Sequence, residues 1–139
     1  MRYRKLNRTY VIVLSKGEKI IESLTELLIK NEMPMAYFWG IGAVSEAELA
    51  HFNLEKKEYS YKKFKGQLEI VSMIGNLAWL EGKPVVHAHI SLGDNKMRLS
   101  GGHLKEATVS ATCEIVLKVF EEKVERKHDP EIGLNLLKF

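Results

Sequence analysis

PVVHAHISLGDNKMRLSGGHL, residues 84–104, has the form of a β-hairpin carrying three histidines. His87 and His89 are two residues apart, so on a strand both project from one face. Val86, Ala88, Ile90 and Leu92 project from the other. Gly93-Asp94-Asn95-Lys96 reads as the turn, and Met97 to Leu104 as the returning strand. With the turn centred on Asp94-Asn95, Leu92 faces Met97 and Ile90 faces Leu99, apolar against apolar. That register sends His103 to the face away from His87 and His89. A bulge at Gly101-Gly102 repairs this and sets His103 opposite His87. Three imidazoles then converge as the ligand set of a zinc centre with a fourth position open. Without the bulge, the hairpin forms no such site. The competing reading is three hydrogen-bonded imidazoles on a half-polar face, with no metal. Imidazole suits zinc, copper, nickel and iron alike, so the ion is zinc or another divalent transition metal.

Upstream of the hairpin, Thr9 to Leu14 (TYVIVL) is β-branched and aromatic and reads as a strand. Ser15 and Glu18 have capping-box spacing ahead of Ile20, Leu24, Leu27 and Leu28, which recur at helical spacing through Lys30. Met35 to Phe38 returns as a strand into Gly40-Ile41-Gly42, a pair of glycines that suits a turn, a bulge or a close backbone approach. It lacks the third glycine of a dinucleotide fingerprint. Val44 to Phe52 alternates, Asn53 to Glu58 reads as a turn, and Tyr59 to Phe64 as a short strand. Gly66 to Leu80 alternates again, with Gly75 a candidate break. Thr108 to Phe120 places Val109, Ala111, Cys113, Ile115, Leu117 and Val119 on one face. Glu121 to Lys127 reads as charged and exposed, and Leu134, Leu136 and Leu137 as a terminal segment docking on the core. About eight strands joined by hairpin turns and one strong helix imply an α+β class with a largely antiparallel sheet.

A chain of 139 residues with a hydrophobic fraction of 45% suits one folded domain, residues 1–139. No apolar run approaches the roughly 20 residues of a membrane span. A lone cysteine, Cys113, forms no intramolecular disulfide, and a cytoplasmic setting is expected. The net charge of +3 permits an anionic partner without demanding one. Two basic clusters stand out. Arg2, Arg4 and Lys5 open the chain, and Lys62, Lys63 and Lys65 interleave with Tyr61 and Phe64. Both are candidate nucleic-acid contacts. The preferred reading is a solvated strand edge or frayed end for the first, and for the second an edge strand that lysine guards against edge-to-edge pairing.

Several runs together carry a family resemblance: GIGA at 40–43, GQLEIVSMIGN at 66–76, HAHISL at 87–92 and GGHL at 101–104. In this order they resemble the plant and prokaryote conserved (PPC) domain over nearly the whole chain. The resemblance implies an antiparallel sheet packed with helix, a homotrimer, and a metal site, usually zinc, at His87, His89 and His103. It also implies a DNA-binding label, inherited from plant members fused to AT-hooks. This chain has no Arg-Gly-Arg-Pro core, so that label rests on analogy of fold.

Two function classes follow. One is a trimeric binding module with DNA as its partner, whose affinity falls steeply with salt. The other is a metal-dependent enzyme or small-ligand sensor using the open position, with Glu69, Glu114 or His51 as candidate bases. No sequence feature names a substrate.

Overall fold

The alternation read from Thr108 to Phe120 continues upstream without a break. In the computed structural model, which describes residues 1–139, one strand runs from Leu99 to Phe120 and joins the histidine hairpin to the core. The elements in order are β1 (Arg2–Leu6), β2 (Thr9–Ser15), α1 (Ile20–Lys30), β3 (Met35–Asn53), β4 (Glu58–Leu80), β5 (Lys83–Gly93), β6 (Leu99–Phe120), β7 (Glu125–Asp129) and β8 (Leu134–Lys138). Eight strands and one helix make the chain richer in β structure than a balanced α+β protein.

The eight strands form one sheet in the order β1-β2-β6-β3-β4-β7-β8, with β5 paired to both β4 and β6. Strands β3, β4, β5 and β6 therefore close a hydrogen-bonded ring. All pairings are antiparallel except the single bridge from Trp79 to Glu125. The long strands bend through bulges near Gly40–Gly42 and Val44–Glu46. At Gly42, with φ of 155°, an added Cβ would lie 2.3 Å from the Thr112 carbonyl oxygen. The two-glycine motif is thus a close backbone approach. Gly75 does not interrupt β4.

Helix α1 spans the predicted residues, and Ile20, Leu24, Leu27 and Leu28 are all fully buried. Burying each stabilises by roughly 1.5–3 kcal/mol as an upper bound. Its N-terminus corrects the capping-box expectation. The Ser15 N–H donates to the Glu18 side chain at 2.7 Å, but this pair closes a turn ahead of the helix. The helix is capped from a distance instead. The N–H groups of Ile21 and Glu22 donate to the two carboxylate oxygens of Glu106 on β6, at 2.9 and 3.2 Å. The core lies between α1 and the inner face of the sheet, where Ile12, Leu14, Phe38, Leu77, Cys113 and Leu117 are fully buried. Burial pushes the Cys113 thiol up to about 12. Ala111, expected on this buried face, is exposed, because pairing between β3 and β6 slips between Gly42 and Val44.

Candidate metal centre

The register of the histidine hairpin differs from the one read off the sequence. Leu92 pairs with Ser100, Ile90 with Gly102 and His89 with His103. The connecting loop is longer than expected, because Asp94 organises it. The Asp94 N–H donates to the Arg98 carbonyl at 3.0 Å, and Asp94 Oδ1 accepts from the N–H groups of Lys96 and Arg98. Arg98 Nε adds a bond to Oδ2 at 2.8 Å, and Met97 takes a left-handed φ of 60°. The extra residues place His103 on the face of His87 and His89 with no bulge between β5 and β6. Gly101 and Gly102 serve another end. A Cβ on Gly101 would lie 2.8 Å from the Ile90 carbonyl oxygen, and one on Gly102 would lie 3.0 Å from that of Ala50.

The three imidazoles converge. Ring centroids are 5.3 Å apart for His87 and His89, 5.1 Å for His87 and His103, and 5.6 Å for His89 and His103. Their ligating nitrogens lie within 4.8 Å of one another. A tetrahedral ion with metal–nitrogen bonds of about 2.0–2.1 Å asks for nitrogens about 3.3 Å apart. Small side-chain rotations close that gap. Burial, followed by Arg126, His103 and His89, holds His87 down at about 4. His103 is lowered for similar reasons, burial first and then His89, Lys105 and Arg126. Both rings are therefore neutral at pH 7, with lone pairs available to a metal.

The trio opens into a cleft of about 640 Å³. One wall is the far end of the β3–β4 hairpin, where Phe52 and Tyr59 stack at 4.9 Å and Tyr59 reaches the His103 ring at 5.5 Å. Burial raises the Tyr59 hydroxyl, and Tyr61 adds to this. The other wall is the β7–β8 hairpin, which supplies Arg126, Leu134 and Leu136. The walls touch where Lys57 Nζ donates to the Pro130 carbonyl at 2.7 Å.

Arg126 corrects the reading of residues 121–127 as an exposed charged run. It is only 8% exposed. Nη1 donates to the Asn135 carbonyl at 2.8 Å, and Nη2 to Asn76 Oδ1 at 2.6 Å. Nη2 also lies 3.4 Å from His87 Nδ1. Asn76 pairs with His87 across β4 and β5, so one small network joins the guanidinium to the trio. Nothing in the local string EEKVERKHD distinguishes this arginine from its solvated neighbours.

The candidate bases fare differently. His51 lines the cleft but is exposed and outside the trio. Glu114 is exposed on β6 opposite Ile41 and Val13, and Glu69 lines a separate depression beside Gly93. No aspartate or glutamate lines the histidine cleft. Of the basic residues, Arg2, Arg4 and Lys5 lie exposed on β1. Lys62, Lys63 and Lys65 lie exposed on the first half of β4, separated from β1 by three strands in sheet order. Lys65 pairs with Glu46 at 3.4 Å, Lys63 stands across from Glu48, and Lys62 sits over the Phe64 ring.

The fold has counterparts among solved structures. The chain aligns with a "Putative DNA-binding protein" from Ralstonia eutropha JMP134 at 36% identity and a TM-score of 0.93, covering 99% of this chain and 95% of that one. A plant- and prokaryote-conserved (PPC) protein from Pyrococcus horikoshii matches at 36% identity and a TM-score of 0.88, covering 99% and 95%. A protein from Archaeoglobus fulgidus, described as metal-containing, matches at 31% identity and 0.88, covering 100% and 99%. A search of the curated proteins found no match. The model of the Plants and Prokaryotes Conserved (PCC) domain matches residues 1–121. By this match over most of its length, and by its likeness to the Pyrococcus protein, the chain belongs to the plant- and prokaryote-conserved domain family.

Proposed function

We propose that this chain is a metal-binding protein whose His87, His89 and His103 hold one divalent transition ion, zinc first, in a cleft that admits a small ligand. The observation carrying this reading is the convergence of three imidazoles within 4.8 Å beside an open cleft. The description of the Archaeoglobus relative as metal-containing supports it. Three neutral nitrogen donors suit zinc, and three protein ligands leave a fourth position for an exogenous oxygen or nitrogen. A zinc ion so held supplies a Lewis acid to whatever occupies that position. Around it, this chain's residues shape the site. Arg126, held by Asn76, lies beside His87, Tyr59 packs on His103, and the β7–β8 hairpin supplies one wall of the cleft.

The functional unit in this reading is a homotrimer of single domains, acting in the cytoplasm. Its support is a row of apolar side chains left bare on the outer face of β3 and β4. Trp39 is 48% exposed and Ile41 59%, with Tyr37 and Ile74 beside them. Bare apolar rows of this kind mark interfaces.

Elemental analysis of the purified protein beside His103→Ala, with mass measured by light scattering on the same samples, tests both parts. About one metal per chain is expected in the wild type and none in the variant, at three times the chain mass. A wild type that holds no metal after zinc is offered overturns the reading.

A second reading, contact with DNA, draws on the name of the Ralstonia relative and on the exposed Arg2, Arg4, Lys5, Lys62, Lys63 and Lys65. Glu46 and Glu48 offset part of the β4 charge. Binding through these residues falls steeply as salt rises from 50 to 200 mM, and a Lys62, Lys63, Lys65 triple alanine variant flattens that slope. An affinity indifferent to salt excludes it.

A further inference from the structure

Arg126 is a charged side chain buried without a countercharge. None of the ion pairs in the molecule includes it, and no carboxylate lines the cleft. A guanidinium carries five N–H donors. The protein engages one on Nη1 and two on Nη2, and the buried Nε has no partner at all. Leaving a buried cation unpaired costs several kcal/mol, which a bound anion recovers.

Metal loading sharpens this. The contact between Nη2 and His87 Nδ1 needs a lone pair on Nδ1. A metal on Nδ1 uses that lone pair. A metal on Nε2 leaves the imidazole proton on Nδ1. Either way His87 stops accepting from Arg126, and a further N–H is freed beside the cleft. The loaded site is then more positive and holds more free donors, still with no acid to balance it.

We infer that Arg126 is the anion-recognition residue of this cleft, and that the ligand class is a small carboxylic acid with a second oxygen next to its carboxylate. The inference rests on the metal reading above. The carboxylate meets the guanidinium fork, and the neighbouring oxygen takes the open position on the ion. The walls select a monoanion over phosphate. Val85, Val86, Leu134 and Leu136 line the cleft, so an apolar tail, which phosphate lacks, is accommodated. The family model ends at residue 121, so Arg126 lies outside the matched residues.

The test is calorimetric titration of zinc-loaded and zinc-free protein with lactate, its neutral analogue lactamide, and inorganic phosphate. Zinc content and thermal midpoint are read on each sample. Zinc-loaded wild type is expected to bind lactate at least tenfold more tightly than lactamide or phosphate, and at least tenfold more tightly than zinc-free protein. Arg126→Gln is expected to keep its zinc and lose lactate affinity at least tenfold, with Arg126→Lys between the two. Should Arg126→Gln not fold, the lactate-to-lactamide ratio on the wild type still decides. Equal binding of lactate and lactamide, tighter binding of phosphate, or full affinity in Arg126→Gln overturns the inference. A wild type that takes up no zinc but binds lactate through Arg126 refutes the metal reading and upholds the anion site. If neither zinc nor lactate binds, both fall.

Discussion

Replacing Gly75 by alanine is expected to weaken the fold and the histidine centre together. Gly75 pairs with Phe38 on β3 and with Ala88 on β5, midway between the positions facing His87 and His89. A Cβ there would lie 2.4 Å from the His87 carbonyl oxygen and 2.6 Å from Cζ of Phe38. Ordinary carbon contacts are about 3.5–4.0 Å, so the ring overlap is about 1 Å. Phe38 is fully buried and has no space to swing into. The carbonyl oxygen is backbone and cannot rotate away, so β4 and β5 must part. Overpacking costs about 1–3 kcal/mol, and two contacts, one immovable, put this variant near 3. The better strand propensity of alanine returns less than about 1 kcal/mol.

Parting β4 from β5 also moves the strand that carries His87 and His89, and so the spacing of these two rings from His103 on β6. Disturbing such supporting contacts weakens metal affinity by about 10–100-fold. The assay is urea denaturation beside zinc competition against a chromophoric chelator. Two comparison variants sharpen it. At Gly93 a Cβ meets only side-chain methyls, of Val71 at 3.3 Å and of Leu99 at 3.9 Å, so Gly93→Ala is expected to lie within about 1 kcal/mol of wild type. Adding Phe38→Leu to Gly75→Ala frees the ring contact but not the oxygen, so it is expected to restore less than half the loss. A Gly75→Ala protein within about 0.5 kcal/mol of wild type, with unchanged zinc affinity, refutes the packing argument.

Three further outcomes are expected. Glu106→Ala removes the remote cap of α1 and is expected to cost about 1–2 kcal/mol in denaturant titration, with Glu106→Gln costing less because it keeps an acceptor. The His87 value of about 4, below the 6.5 of an unfolded chain, means the unfolded state binds protons first on acidification. Stability is therefore fully present above pH 6.5 and lost as pH falls toward 4, so metal-free protein is expected to lose midpoint temperature in that window and His87→Gln to lose less. Cys113, fully buried with its thiol pushed up to about 12, is expected not to react with an aromatic disulfide reagent at pH 8 until the protein is unfolded.

What the sequence made legible follows from where each signal is stored. Period-two alternation is local, so it located the buried face of β5 at Ala88, Ile90 and Leu92. Period-3.6 spacing is also local, and it placed α1 correctly. Signals held in tertiary contacts were not legible. The carboxylate that caps α1 comes from Glu106, more than 80 residues downstream. The burial of Arg126 depends on where the β7–β8 hairpin lies, and its neighbours Glu125 and Lys127 are exposed. Continuous long strands were hidden as well: Tyr59 to Phe64 and Gly66 to Leu80 read as two strands, whereas β4 runs through Gly66, which takes a φ of 122°.

The histidine trio shows why a shared face can be read from a register that is wrong. Leu92 pairs three residues further along β6 than the two-residue turn implied, with Ser100 in place of Met97. Side chains on a strand alternate, so an odd shift exchanges the faces of the whole returning strand. The assumed register put His103 on the wrong face, and one bulge at the glycines restored it. The true register needs no bulge, because the longer loop held by Asp94 supplies the odd shift by itself. Both routes give the same parity, and parity alone fixes which face the three imidazoles share. They differ in which histidine stands across from His103: His87 by the bulge, His89 in the fold. That difference leaves His87 diagonal to His103, and on β4 Asn76, its cross-strand neighbour, is held by Arg126. The face was therefore legible from alternation, whereas the guanidinium beside it depended on a loop length and a C-terminal hairpin that no periodicity records.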